Sequence, residues 1–399
     1  MQMFHNYHHS KVYKMLHSDF GKFDFSIWLH VFARSLIVVF IPIFLLQMGF
    51  SLREVLIYYL IYHICDVPLN FVAKLMVEWR GARQVIMMGV FCLIGYFIVL
   101  FNLSSGAWGF LVLMAFLSAL YDSFFFVAHI YFFMECSHKQ KDFAKKTSVL
   151  YIVQRIAGIM APFLGAVVLL LTNQKVLIIV AVVMLMLSLV PLYQIRDIKD
   201  KPTKINKRFF TSWKMVRDYI SLGFFGIHAA MEWVIWPMFI YLIFKTVESV
   251  AVLPIIVSLT SIVFIYFSSK IHKKDRLKMI ALGSVLIGIT WTLRIFVPNN
   301  IFYYVTVFLM GLFSVLITLP LDSNIFERGE SSNPLAASTY RNAFSMFFRI
   351  FVFLILILLT EVFNFGFVMA AISMFVLMFL SIIIRKNVDV MPIEQKIGV

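Results

Sequence analysis

The chain has 399 residues, of which 62% are hydrophobic and 14% are charged, and its formal net charge is +15. Soluble proteins are about half apolar and a quarter charged, so this composition excludes a soluble multidomain enzyme and a disordered chain. The 3 cysteines are too few for a disulfide-stapled secreted fold, and the 44 phenylalanines indicate a protein whose solvent is a lipid bilayer.

The first segment, residues 1–23, is polar and basic. It contains Lys11, Lys14 and Lys22, and it has no apolar core that ends at a small-residue cleavage site. We therefore predict a cytoplasmic N-terminal tail and not a signal peptide.

Twelve apolar stretches follow, each close to the roughly 20 residues that a membrane-spanning helix needs. They are too long and continuous for barrel strands, and helices satisfy their backbone hydrogen bonds internally, as lipid requires. We therefore predict an all-α integral membrane protein with twelve transmembrane helices. The predicted spans are 24–48, 52–75, 84–103, 107–134, 148–171, 174–194, 218–244, 249–270, 279–297, 300–324, 339–361 and 364–385. The fifth and sixth predicted spans are separated only by the short polar segment 172–175.

Basic residues are concentrated in the connections on one side of these spans. The odd-numbered connections contain only Arg53, Lys175 and Lys245. The even-numbered connections contain Arg80, Arg83, Lys139, Lys141, Lys145, Lys146, a basic run over 196–217, Lys270, Lys273, Lys274, Arg276, Lys278, Arg328 and Arg341. By the positive-inside rule both termini are predicted to be cytoplasmic. The net charge then reflects topology and not nucleic-acid binding.

A basic connection at 195–217 divides the spans into an N-terminal half, 24–194, and a C-terminal half, 218–385. Residues 386–399 are predicted to form a cytoplasmic C-terminal tail. Within the connection, Phe209, Phe210, Trp213 and Val216 are compatible with a short interfacial helix, and a plain linker is the alternative.

The two halves resemble each other weakly. Corresponding positions carry the same residues in the first and seventh, fourth and tenth, and fifth and eleventh spans. The matches are Pro42 with Pro237, Asp122-Ser123 with Asp322-Ser323, and Arg155-Ile156 with Arg349-Ile350. Together they favour a parallel six-plus-six repeat, in which two halves rock about a central site.

This architecture resembles the major facilitator superfamily of secondary transporters over essentially the whole chain. The family has a Gly-x3-acid-Arg-x-Gly-basic-basic motif after its second span, and residues 74–83 match it at Glu78, Gly81 and Arg83. The resemblance implies that these residues latch helix ends in one conformation. The small residues and Pro162 within 157–166 resemble a motif common in proton-driven exporters, and import stays equally open.

Ionisable residues inside the predicted spans are costly in lipid and are therefore functional candidates. The resemblance implies that the first, fourth, seventh and tenth helices line a central cavity. The predicted substrate-binding residues are Arg34, His30, Asp122, His228 and Trp236, and the predicted proton-coupling residues are Glu232 and Asp66. Arg34 offers a planar donor for a carboxylate or phosphate, which favours an anionic or zwitterionic organic substrate.

Two ion pairs are also predicted: Asp122 and Arg155 lie on adjacent spans at similar depth, whereas Asp322 lies closer to the cytoplasmic surface than its predicted partner. Asp122 is expected to face Arg155, and Asp322 is expected to repeat this pairing with Arg349. They either fix the packing of helices or take part in gating, and both interpretations stay open. Arg294 lies near an outer helix end and is expected to snorkel toward the headgroups.

No motif for ATP hydrolysis or for catalysis by a metal or a nucleophile is present in the sequence. We therefore predict a secondary active transporter of a small organic solute that works by alternating access with proton coupling. A transporter-like receptor or scaffold, and a membrane-embedded enzyme, are the alternatives. We expect no cofactor and no metal, a monomer in contact with lipid, and a multi-pass location in a bacterial inner membrane.

Overall fold

The computed structural model describes the backbone of residues 19–137, 143–199, 213–268, 275–297 and 299–389. Every regular element within these ranges is a helix. Most of the predicted N-terminal tail and of the C-terminal tail, as well as residues 200–212 of the connection between the halves, lie outside them. Of the four residues proposed for an interfacial helix, Phe209 and Phe210 therefore lie outside the described residues.

Twelve helical segments of the described residues are long and apolar enough to cross a membrane, and we name them span 1 to span 12 in chain order. Span 1 is Asp19–Ser35, a 3-10 turn Val38–Phe40 and Ile41–Gln47, and span 7 is Trp213–Ala230, a π-helical turn Met231–Ile235 and Trp236–Phe244. The other ten, in order, are Leu52–Arg80, Ala82–Asn102, Trp108–Ser137, Phe143–Leu171, Gln174–Tyr193, Val247–Ser268, Arg276–Phe296, Asn300–Ser331, Pro334–Leu358 and Val362–Asp389. The predicted all-helical, twelve-span fold is confirmed.

Helix caps decide the two boundaries that apolar patterning defines least well. The Asn173 side chain accepts a hydrogen bond from the Val176 N–H at 3.1 Å and starts span 6, which separates it from span 5. Span 11 begins at Pro334, before the predicted start at 339, because Asn333 caps the Ala336 N–H at 2.8 Å. The N–H of the first helical residue has no partner within a helix, so proline at that position loses no hydrogen bond. The polar residues from Pro334 onward can therefore form the first turns of span 11.

The halves meet along two long pairs of spans. Span 2 packs against span 11, and span 5 packs against span 8, with smaller contacts between spans 1 and 7 and between spans 4 and 10. If each span is replaced by its counterpart in the other half, the pair of spans 2 and 11 becomes the pair of spans 8 and 5. This is the relation expected of a parallel six-plus-six repeat.

Contacts between the halves occur at both ends of the bundle. We name the end at which span 1 begins the terminal face. There the rings of Phe133 and Phe326 lie 5.9 Å apart, in spans 4 and 10. At the opposite face, Gln47 Nε2 donates a hydrogen bond to the Tyr241 hydroxyl at 3.2 Å, in spans 1 and 7. The two halves therefore touch each other at both ends of the bundle.

Candidate substrate-binding site

A cavity of about 280 Å³ lies between the two halves, and we name it the central cavity. Spans 1, 5, 7, 8, 10 and 11 contribute its lining. The family resemblance implies spans 1, 7 and 10 at this position. The expectation for span 4 is wrong, since no described residue of span 4 lines this cavity. The polar lining residues are Ser35, Tyr151, Gln154, Arg155, Ser258, Thr318, Asp322 and Arg341.

An ion pair forms one wall of the central cavity. Arg341 Nε donates to Asp322 Oδ1 at 2.7 Å, and Arg341 Nη2 donates to Asp322 Oδ2 at 2.8 Å. The Tyr151 hydroxyl donates to the same carboxylate from span 5. The expected pairing of Asp322 with Arg349 is wrong, because Asp322 lies toward the terminal face, level with the first turns of span 11. The bidentate pair joins spans 10 and 11, and the tyrosine links them to the other half.

Arg155 also lines the central cavity, one turn beyond Tyr151 on span 5. Its expected partner, Asp122, lies elsewhere, between spans 1, 2, 4 and 11, and the predicted Asp122–Arg155 pair is therefore wrong. Within the described residues the only group with which Arg155 interacts electrostatically is Tyr151, and no acceptor bonds its guanidinium. Its hydrogen-bond donors thus remain available to a molecule in the cavity.

A second set of charged side chains lies outside the central cavity. It consists of Asp66, Asp122, Arg34 and Arg349, and we name it the carboxylate cluster. The Asp122 carboxylate interacts electrostatically with Arg34 and Arg349, and Asp66 interacts with Arg349 and Asp122. No direct contact between either carboxylate and a guanidinium occurs in the part of the chain that the structure describes. The cluster therefore balances two acids against two bases without fixed ion pairs.

Hydrogen bonds tie the carboxylate cluster to the junction of the halves. Asp66 Oδ1 accepts from the Ser123 hydroxyl at 2.7 Å, and Asp66 Oδ2 accepts from Asn70 Nδ2 at 3.0 Å. Asn70 Oδ1 in turn accepts from Asn342 Nδ2 at 2.8 Å, from span 2 to span 11. Asp66 and both asparagines are buried. Hydrogen bonds thus connect Asp66 to a contact between the halves.

The predicted substrate-binding residues of span 1 face span 4. His30 Nε2 lies 2.8 Å from the Tyr121 hydroxyl, and the Arg34 guanidinium lies 5.6 Å from the Tyr121 ring centroid and 5.7 Å from that of Phe126. Residues four apart share a helix face, so both side chains point the same way. The other face of span 1, with Val31 and Ser35, lines the central cavity.

Glu232, the predicted proton-coupling residue of span 7, forms a buried ion pair. Arg294 Nη1 lies 2.6 Å from Glu232 Oε2, and Arg294 Nε donates to the Thr306 hydroxyl at 2.9 Å. The guanidinium is held between the rings of Trp236, at 3.6 Å, and Trp291, at 4.4 Å. The expectation that Arg294 snorkels is wrong, since it is only 2% exposed.

The π-helical turn Met231–Ile235 decides which side chains of span 7 reach the cavity. His228 Nδ1 accepts from Trp291 Nε1 at 2.9 Å, and Trp236 is fully buried beneath Arg294, so both face span 9. Trp236, a predicted substrate-binding residue, therefore does not line the central cavity, whereas Trp233 does. A π-helical turn rotates the residues around it, and such turns are frequent at functional sites.

The three motif residues lie around the junction of spans 2 and 3, with Glu78 in the last turn of span 2, Gly81 between the spans and Arg83 in the first turn of span 3. Arg83 Nη1 donates to the Ile195 carbonyl at 2.8 Å, and its backbone N–H donates to Asp197 Oδ1 at 2.9 Å, just after span 6. Glu78 pairs with Lys74 on its own helix at 2.5 Å. In this conformation the junction binds the end of span 6 within its own half, and the latch role stays a prediction.

Replacing Gly81 with alanine is expected to lower the free energy of unfolding by about 1–3 kcal/mol. Gly81 has φ +104, and a Cβ there would lie 2.6 Å from Asp197 Oδ1. The melting temperature in detergent measures the effect. Gly106→Ala is the matched control, because Gly106 has φ +74 but nothing within 4 Å. Equal losses in both variants would mean that the contact with Asp197 contributes nothing.

Comparisons with known proteins agree with this architecture. The family model of the Major Facilitator Superfamily matches residues 23–340. The human organic anion transporter MFSD10 (TETRAN) is similar in structure, with TM-score 0.66 and 9% identity over 90% of this chain and 98% of that one. A bacterial homologue of the iron transporter ferroportin, in an outward-facing state, has TM-score 0.65 and 15% identity over the same shares. At these identities the likeness shows the fold alone. No curated protein sequence matches significantly.

Proposed function

This chain belongs to the major facilitator superfamily and is thus a membrane transporter and not an enzyme. From that premise we propose that it moves a small organic solute by alternating access. The observation that carries this proposal is the central cavity, which both halves line, together with contacts between the halves at both faces. A carrier needs a site that opens to one face at a time. The distribution of basic residues supports a cytoplasmic terminal face, and we propose a monomer in a bacterial inner membrane.

We also propose that transport is coupled to protons and that Asp66 is the coupling residue in preference to Glu232. Asp66 has no direct guanidinium contact in the described residues, and its hydrogen bonds lead through Asn70 to span 11. Glu232 is held by Arg294 at 2.6 Å, so its protonation would break a buried ion pair. A proton at Asp66 instead changes hydrogen bonding at the junction where the halves move.

Distances between spin labels on the two halves test this proposal without a known substrate. One pair is Cys136 with Ser332→Cys at the terminal face, and the other is Arg53→Cys with Lys245→Cys at the opposite face. The other native cysteines are replaced by serine. In lipid at acidic and alkaline pH, we expect two populations at each face, with one distance lengthening as the other shortens.

The variants Asp66→Asn and Glu232→Gln separate coupling from movement. We expect Asp66→Asn to keep both populations and to lose their response to pH, while Glu232→Gln keeps that response. A single narrow distance distribution at both faces in every condition would contradict alternating access and favour a receptor or scaffold. A pH response lost only in Glu232→Gln would return the coupling role to Glu232.

A further inference from the structure

We infer that the transported solute is a small organic monoanion with an apolar body, and that Arg155 binds its charged group in the central cavity. This inference rests on the transport function proposed above. It follows from the juxtaposition of an unpaired guanidinium, neutral hydrogen-bonding side chains and an apolar wall around one cavity.

Arg155 differs from the other arginines described within the membrane-spanning helices around the site. Arg294 and Arg341 form direct ion pairs with carboxylates, and Arg34 and Arg349 interact with Asp122. Arg155 has neither kind of partner among the described residues. Placing a charge in a membrane protein without a partner is costly, so such a residue is retained for function. The missing partner is supplied by whatever occupies the cavity.

The charge of the cavity wall selects the sign of that occupant. The charged lining residues are Arg155, Asp322 and Arg341, so two positive charges and one negative charge leave a net charge of +1. The Asp322 carboxylate already has partners within the protein, because Arg341 donates two hydrogen bonds to it and the Tyr151 hydroxyl donates another. A monoanion neutralises the wall, whereas a cation would meet a net repulsion and a committed carboxylate.

The remaining lining describes the rest of the solute. Ser35, Gln154 and Ser258 offer hydrogen-bonding groups that have no partner among the described residues. Apolar surface completes the wall and includes Trp233 from the π-helical turn and Val38 from the broken part of span 1. A planar guanidinium binds a carboxylate through two parallel hydrogen bonds. An amphipathic carboxylate therefore fits this cavity better than an inorganic anion or a sugar.

Close packing of spans 5 and 8 holds Arg155 at the cavity. A Cβ on Gly158 would lie 2.7 Å from the Ser258 hydroxyl oxygen, so a larger residue there would require that hydroxyl to turn away. Gly158 lies about one turn beyond Arg155 on the same helix, and both residues line the cavity. Packing between spans 5 and 8 thus positions the segment of span 5 that carries Arg155 at the cavity.

The reaction rates of charged thiol reagents test the sign of the cavity. Thr318→Cys places a thiol in the lining, with the three native cysteines replaced by serine. The reagents are sulfonatoethyl, methyl and trimethylammonioethyl methanethiosulfonate, which are anionic, neutral and cationic. Relative to the exposed control Ser332→Cys, we expect an anion-to-cation rate ratio at least about tenfold higher. Adding Arg155→Gln is expected to remove that excess, and Arg155→Lys is expected to keep part of it.

The stability of the ligand-free protein gives a second readout. Arg155 is half-buried, and removing an unpaired charge from this position relieves a cost, so Arg155→Gln is expected to raise the melting temperature. A fall in melting temperature would mean that Arg155 holds the fold together, and would overturn its assignment to the solute. Equal or inverted rate ratios at Thr318→Cys, or no labelling by any reagent, would also overturn it. The spin-label distances are independent of these results, so transport can survive the failure of the anion site.

Discussion

Replacing Arg294 with methionine is expected to lower the free energy of unfolding by about 3–5 kcal/mol. The substitution leaves the Glu232 carboxylate buried without the guanidinium that lies 2.6 Å from it. It also removes the cation held between Trp236 and Trp291 and the donor to Thr306. Because spans 7, 9 and 10 meet at this pair, the loss is expected as a lower melting temperature in detergent.

An exposed ion pair of similar length provides the control. Lys278 Nζ lies 2.7 Å from Asp275 Oδ1, and the two side chains are 52% and 31% exposed, against 0% and 8% for Arg294 and Glu232. Lys278→Met is expected to cost at most about 1 kcal/mol, because water replaces the lost partner. Similar losses in the two variants would show that burial of the Glu232–Arg294 pair does not determine its contribution.

The double variant Glu232→Gln with Arg294→Met measures the coupling between the two residues. We expect it to be more stable than Arg294→Met alone, because the uncompensated carboxylate is removed together with its partner. Additive losses would contradict a direct interaction. Recovery of stability would support a structural role for Glu232, in agreement with the proposal that Asp66 carries the coupled proton.

Asp322→Asn is expected to lower the free energy of unfolding by about 3–5 kcal/mol. The variant removes the charge that accepts two hydrogen bonds from Arg341 and one from Tyr151, and it leaves the Arg341 guanidinium beside the cavity without its partner. Melting temperature measures the loss. The same variant raises the net charge of the cavity wall, so it is also expected to increase the anion-to-cation rate ratio at Thr318→Cys.

Arg341→Gln provides the reciprocal test of this wall. Alone it leaves Asp322 charged and is expected to destabilise the protein, while combined with Asp322→Asn it is expected to restore part of the stability. An unchanged melting temperature in Asp322→Asn would contradict the assignment of this pair as the link between spans 10 and 11. A lower anion preference in that variant would contradict the electrostatic account of the cavity.

Two important arginines were misplaced by sequence reasoning for identifiable reasons. Arg341 lies inside the predicted span 339–361 but so near its start that it is grouped with the preceding basic connection, whereas Asn333 and Pro334 carry the signals of a helix start and place it two turns inside span 11. Arg294 lies near the end of an apolar stretch, which is typical of a snorkelling residue. Its partner Glu232 is 62 residues away in sequence, and no local pattern connects the two.

The sequence by itself determined that this protein is helical, that it crosses the membrane twelve times and that it resembles the major facilitator superfamily. These properties follow from the length and apolarity of continuous segments, because a lipid bilayer requires each spanning segment to be long, apolar and helical. The tertiary structure alone decided which charges pair and which line the cavity, as Arg155, Asp322 and Trp233 illustrate. Those outcomes depend on the rotation of each helix about its axis, and packing between spans distant in sequence, together with one π-helical turn, fixes that rotation.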